Sequence, residues 1–398
     1  MCVRVSPCTS VLVGTPTERL RNLKPETHQP GLALFRALPK VDLHRHLEGS
    51  LRLETLWEFH CRNRQSLHAS FDALRKALTV PRQSRPGFQG FLARFAGLRF
   101  RFGGVAALER VAAEAVADAA ADGVIHLELR FSPGFWALRM RSPPGDRSRG
   151  IGGSERTARR SVTTAEAEEA AEAVVRGARR EAARQGIGVG FILTLKRDLG
   201  IVANEPQARL LNRPVGREFA GLDLAGDEAF PASQFVDYCR EWKAAGRGLT
   251  LHAGEDPHGA GAENVRRAVV ELKADRIGHG VQARQDKDLL VLLAGRKIAL
   301  ELCLTSNVQT RACRGFRDHP LRMMLAAGVA ATINTDDPAI CQSTLSHEYL
   351  QAAACCGLSF GQLLACTLNA ARSAFLASAA KAALIRRIRG GWPAPQRS

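Results

Sequence analysis

No apolar run in the chain approaches the roughly 20 residues that a membrane-spanning helix requires, so the sequence offers no transmembrane segment and no membrane partner. The ten cysteines contain no Cys-x-x-Cys pair and are too sparse for a disulfide scaffold. They read as reduced thiols of a cytoplasmic protein, most of them small buried apolar side chains, with Cys2 and Cys8 the most open to oxidation. Residues 1–14 carry only Arg4 as a charge and show no small-residue cleavage site after a long apolar core, which argues against secretion. An organellar targeting signal within residues 1–38 stays open.

Acidic residues are in the minority: 39 Asp and Glu against 56 Lys and Arg leave a formal charge of +17, which raises the question of nucleic acid. The densest basic stretch, Arg139 to Arg160 (RMRSPPGDRSRGIGGSERTARR), has no aromatic residue to stack on bases. Its Gly, Ser and Pro content predicts a disordered insertion over 139–162. Elsewhere arginine is spread among alanine and glycine, as GC-rich coding would produce. No nucleic-acid partner is expected, and the oligomeric state is not legible.

What the chain does have is a recurring kind of strand ending. His44 and His46 close the strand-like run KVDLHRH, and residues two apart on a strand point the same way, so both imidazoles can hold one divalent metal. Alone, such a pair is more often an ordinary strand end. Three later segments answer it: LTLHAGED at 249–256 with His252 and Glu255, RIGHG at 276–280 with His279, and VAATINTDD at 329–337 with Asp336 and Asp337. Each is a short apolar or β-branched stretch that stops at a metal-capable or proton-transferring side chain. Four such endings at helix-length intervals point to one site assembled from strand ends.

Strand patterns fall at 41–46, 124–131, 188–195, 219–225, 249–253, 275–279, 298–304 and 329–335, with Ala-, Glu- and Arg-rich helical patterns such as 107–122, 163–185, 232–245, 262–273 and 285–296 between them. This alternation predicts an α/β protein, a (β/α)8 TIM barrel. An open doubly wound sheet fits less well, because only a closed ring brings the ends of the first, fifth, sixth and eighth strands to one mouth. The barrel is expected over 39–386, with 1–38 a mobile extension and 387–398 a tail. Residues 54–106 form a helical excursion whose Phe88 to Phe102 segment reads as a lid over the site, and 345–386 reads as closing helices.

The segments PKVDLHRHLEGS (39–50), ELRFSP (128–133), DLAGDE (223–228), LHAGED, RIGHG, TSN (305–307), NTDDP (334–338) and NAARSAFL (369–376) together resemble the adenosine deaminase family, in order and over roughly 39–385. The resemblance implies a zinc-dependent hydrolase, with one Zn²⁺ per subunit, that replaces the 6-amino group of a purine with oxygen. It makes His44, His46, His252 and Asp336 the metal ligands. His279 would position the attacking water and take part in its deprotonation, and Glu255 would protonate purine N1. Asp337 would hydrogen-bond N7, the backbone N–H of Gly226 would meet N3, and Glu48 would contact the sugar, where an Asp is common in the family.

The longer Glu48 side chain leaves adenosine, adenine and other 6-aminopurine derivatives open as substrates. Leu304 stands where relatives commonly have Pro. Lys196, at the end of the third strand, matches poorly a metal-bridging lysine and reads as a surface or loop residue. A cytidine-deaminase site is ruled out, since no Pro-Cys-x-x-Cys answers His46-Leu47-Glu48. An inactive barrel serving as a basic binding protein would be expected to have lost a ligand or Glu255, and all are present.

Overall fold

The computed structural model describes residues 28–63, 67–98, 102–140, 161–258 and 260–393. Eight strands form one parallel sheet in sequence order: β1 (Lys40–His46), β2 (Val124–Phe131), β3 (Gly188–Lys196), β4 (Phe219–Ala225), β5 (Gly248–Ala253), β6 (Arg276–His279), β7 (Ala299–Leu302) and β8 (Ala330–Ile333). The last returns to the first through the parallel bridge Arg45–Asp336, where Asp336 N–H donates to His44 O at 2.8 Å and His46 N–H to Asp336 O at 2.9 Å. Asp42 and Asn334 reinforce the closure with their side chains, Asp42 accepting from the Thr335 hydroxyl (2.7 Å) and Asn334 from the Leu43 N–H (3.0 Å). The ring is the expected (β/α)8 barrel.

Period-2 alternation explains how each strand satisfies two environments. Val41, Leu43, Leu127, Leu129, Leu249 and Leu251 join the apolar core shared with the surrounding helices. Their alternates meet across the barrel: Arg130 of β2 bonds Glu301 of β7 at 2.7 Å, and Arg276 of β6 bonds Glu128 of β2 at 2.6 Å. Neither pair of strands is adjacent, so these contacts cross the interior, and all four side chains are buried. A buried charge is tolerated only when paired and hydrogen-bonded, and here each is.

Two strands stop earlier than their patterns suggest. β7 ends at Leu302 because Leu304 already opens the helix Leu304–Gln309, whose Asn307 side chain accepts from the Cys303 N–H. β8 ends at Ile333 because the chain turns at Asn334 to close the ring. The excursion after β1 carries helices Leu53–Arg62, Phe71–Leu78 and Phe88–Leu92 and a 3-10 turn Ala93–Leu98. Val80 and Phe91 pack on Ile340 and Cys341, Val80 N–H donates to Ile340 O at 2.8 Å, and Gln89 reaches Asp227 after β4 at 2.8 Å. The excursion therefore spans the loops that follow β4 and β8, as a cover over the mouth must.

The chain ends depart from the expected boundaries. His28–Ala37, within the expected extension, is helical, and Phe35 is fully buried. The last helix, Ser378–Gly391, runs past 387, and Trp392 donates from its indole to Pro39 O at 2.8 Å, tying that end to the start of β1. Residues 1–27, with Cys2 and Cys8, 141–160 of the expected insertion, and 394–398 lie outside the described residues. No helix among the described residues is long and apolar enough to cross a membrane.

Candidate active site

The polar strand endings converge at the C-terminal mouth of the barrel. From β1 come His44 and His46, from β5 His252, from β6 His279, and from the turn after β8 Asp336; all five are buried. His44 Nε2 lies 3.3 Å and His46 Nε2 3.5 Å from Asp336 Oδ1, and the Nε2 atoms of His46 and His252 are 3.3 Å apart. Ligand atoms of His44, His252, His279 and Asp336 lie within 4.8 Å of one another, as do those of His46, His252 and Asp223. His279 and Asp336 both have φ of 61°, a left-handed conformation that costs about 1–3 kcal/mol for residues other than glycine. The strain turns both side chains into the cluster.

Carboxylates behind the histidines set their tautomers. Glu301 lies 2.8 Å from His44 Nδ1, and Asp223 lies 2.8 Å from His252 Nδ1. An ionised carboxylate accepts only, so each ring carries a proton on Nδ1 and turns Nε2 toward the cluster. His44 Nε2 is buried without a hydrogen-bond partner among the described residues. Ring nitrogens and a carboxylate oxygen gathered within 4.8 Å of one another are a donor set that fits one divalent ion of the N/O-preferring kind.

Burial, the largest influence, pushes His46 and His252 well below the ordinary imidazole range, so both are neutral. His44 differs: burial and Arg130 push it down, yet Asp336 and Glu301 leave it raised, so a cation entering there displaces a proton. For Asp336 burial acts upward, but His279, His44 and His46 hold the carboxyl well below its usual range.

His279 is fixed differently. The Cys303 N–H can only donate, so it marks the oxygen of Asn307 at 3.2 Å; the Asn307 amide nitrogen then faces His279 Nδ1 at 2.9 Å. Burial lowers the ring's pKa to about 4. Neutral, and accepting at Nδ1, it carries its proton on Nε2, 3.4 Å from Glu255 and 3.8 Å from Asp336. In that tautomer the Nε2–H can donate to a water, which separates His279 from His44 and His252, whose Nδ1 carries a proton.

Glu255 follows β5 in a loop held by one residue. Glu228 accepts from the N–H groups of Gly254 (2.8 Å), Glu255 (2.7 Å) and Asp256 (3.2 Å) and from the Asn264 amide (3.0 Å). Burial, then the negative Asp336 and Glu228, drive the Glu255 pKa well above the carboxylate range. Burial and Asp336 do the same to Asp337. Burial thus favours the proton-bearing form of both. Glu48 accepts from the Ser132 N–H at 2.8 Å through one oxygen, and its other oxygen is buried without a partner among the described residues. Gly226, just beyond β4, has φ of 100°, and a Cβ there would meet Asp198 Oδ1 at 2.0 Å, so only glycine fits.

Several contributors escape sequence reasoning. Glu301, Asp223 and Arg130 are interior strand residues whose partners lie far off in sequence; DLAGDE carried both Asp223 and Glu228, but not their tasks. Lys196 is half-buried at the end of β3 rather than on the surface. Its register partner Ala225 precedes Gly226, its Nζ lies 5.6 Å from the Phe95 ring, and its charge offsets part of the burial that leaves Glu48 and Asp337 with raised pKa values.

Comparison with known proteins agrees with this geometry. The family model for adenosine deaminase matches residues 39–390. An adenosine deaminase of Klebsiella pneumoniae (strain 342) is 37% identical over 358 residues, which is 89% of this chain and 99% of the relative. Among solved structures, an amidohydrolase from Burkholderia ambifaria with bound zinc superposes with a TM-score of 0.77 at 26% identity, covering 91% of this chain and 92% of its own. An adenine deaminase from Arthrobacter aurescens gives 0.74 at 25%, covering 89% and 98%. By its motifs, its barrel and its relatives, the chain belongs to the adenosine deaminase family.

Proposed function

We propose that the protein is a cytoplasmic, zinc-dependent nucleoside deaminase that converts adenosine and 2′-deoxyadenosine, with water, to inosine and 2′-deoxyinosine plus ammonia. The observation that carries the reading is a cation cradle beside two buried carboxyls, Glu255 and Asp337, whose pKa values burial drives upward. Purine N1 and N7 are both acceptors, so only protonated carboxyls can bind them. The eight described cysteines are all free, as a reducing compartment requires.

Zn²⁺ held by His44, His46, His252 and Asp336 would lower the pKa of the attacking water toward neutrality. Glu255 gives its proton to N1, which draws electrons from C6 and opens that carbon to attack. The Nε2–H of His279 fixes the orientation of the water, and proton removal at that nitrogen would first require the ring to exchange its tautomer. Asp337 donates to N7, and the Gly226 N–H faces N3. As the water adds, C6 becomes tetrahedral; one of the water's protons restores Glu255 and the other passes to the amino group, which leaves as ammonia while the C6 carbonyl forms.

The unpartnered oxygen of Glu48 favours a nucleoside over a free base, because a sugar hydroxyl satisfies it. Adenine would leave a buried acceptor unpaired, at a cost of about 1–3 kcal/mol. The test is ammonia release by the zinc-replete protein with adenosine, 2′-deoxyadenosine, adenine, N6-methyl-AMP and 6-amino-deoxyfutalosine. Turnover confined to the two nucleosides is expected. Turnover of another member alone would move the substrate and keep the chemistry, whereas silence across the panel with zinc bound would favour a binding protein.

A further inference from the structure

A cavity of about 920 Å³ opens at the end of the barrel opposite the active site. Its wall includes Ala220, Gly248, Arg276 and Ala330, each the first or second residue of its strand, so it lies at the N-terminal ends of β4, β5, β6 and β8. Five further cations line it: Lys243, Arg247, Lys297, Arg372 and Lys381. Asp275 is the one acid on the wall, and it is already engaged by Lys243 at 2.6 Å and by the Leu249 N–H at 2.8 Å. Arg276 is likewise spent on Glu301, Glu128 and Ser373 O.

The others are far less committed. The Arg247 Nε is buried with no hydrogen-bond partner among the described residues, and the contact of Arg372 is a long one, 3.4 Å to Asn369 Oδ1. The 14-residue helix Ser378–Gly391 starts at the cavity wall, adding the positive end of its dipole to the same space. A concave surface with four cations short of carboxylates concentrates anions. Its volume falls in the range of about 300–1,000 Å³ that small-molecule sites occupy.

We propose that this cavity is a second ligand site, separate from the deaminase centre, for a small anion carrying two or more phosphate groups. One phosphate would leave most of the cations unpaired, whereas a pyrophosphate or longer chain lets Arg247, Lys297, Arg372 and Lys381 bond different groups at once. Diffuse attraction by a chain of this net charge makes a different forecast, because it would depend on total charge and not on these four positions.

The experiment is calorimetric titration of the full-length protein with inorganic pyrophosphate and tripolyphosphate at about 0.15 M salt, repeated on K297E/R372E and on R217E/R240E. Both pairs are exposed and change the net charge equally. One saturable site is expected, weakened at least about tenfold by the first pair and unchanged by the second, with deaminase activity kept in both. A melting-temperature rise with tripolyphosphate, lost only in K297E/R372E, would give the same answer without heats. Absence of saturable binding, or equal weakening in both double variants, would overturn the proposal. Binding of single-stranded RNA with no binding of tripolyphosphate would do so too, and would assign the surface to nucleic acid.

Discussion

The carboxylate of Asp223 lies 2.8 Å from His252 Nδ1, and its other oxygen lies 3.2 Å from Arg130, whose second amino group bonds Glu301, the partner of His44. One guanidinium thus braces the two carboxylates that keep two histidines in the ligand tautomer. Burial pushes Glu301 up, but Arg130 and Arg276 outweigh it and hold the carboxyl well below its usual range. The brace and the cradle are one network.

Asp223→Asn tests it. An amide can turn its NH2 toward Nδ1, which would move the ring proton to Nε2 and block the metal. Losing such a partner lowers metal affinity by about 10–100-fold. Competition with a chelator should show that fall while the far-ultraviolet spectrum stays native, since Arg130 keeps Glu301. Unchanged affinity would mean that the carboxylate does not set the tautomer.

Proton donation and metal binding should separate by mutation. Glu255→Gln keeps the size of the side chain and the Glu228 clamp on its backbone but has no proton to give, so zinc content should stay near one per chain while turnover falls about 10²–10⁴-fold. His252→Ala should lose the metal itself. Metal analysis beside kinetics distinguishes the two; a Glu255→Gln variant at near-normal rates would refute the assigned role.

The barrel was legible because its outward strand residues are Leu, Val, Ile and Phe in alternation, a pattern that needs no knowledge of partners. His44, His46, His252 and Asp336 were legible because each closes such a run. The interior network was not: Arg130 and Glu301 are 171 residues apart, and only closure of the ring makes them neighbours. Lys196 read as a surface lysine because nothing local shows that Glu48 and Asp337 stand across the mouth from it. The two early strand ends depend on the side chains of Asn307 and Asn334 taking over backbone partners, which no hydrophobic pattern records.

Glu48 should govern the choice between nucleoside and base. If its free oxygen takes a sugar hydroxyl, Glu48→Ala raises KM for adenosine by up to about tenfold, the worth of a net hydrogen bond, and leaves any trace activity on adenine unchanged or improved. Steady-state kinetics on both substrates decide it. An equal loss on both would place Glu48 in the architecture of the site, through its bond to Ser132, and not in sugar recognition.

Lys40 gives the fold a pH signature remote from the metal. Its Nζ donates to Leu38 O at 2.9 Å and to Phe35 O, and burial, the main cause, lowers its pKa from 10.5 to about 8, partly opposed by Asp122. Because the unfolded chain holds this proton to higher pH than the folded one, the penalty is full below about pH 8 and is relieved as pH rises toward 10.5. At ~1.4 kcal/mol per pKa unit the relief is a few kcal/mol. Wild type should therefore gain stability relative to Lys40→Met between pH 7.5 and pH 10, the shared titrations cancelling in the difference. Denaturant unfolding of both proteins at the two pH values measures it, and a difference independent of pH would mean that Lys40 keeps an ordinary ammonium in the fold.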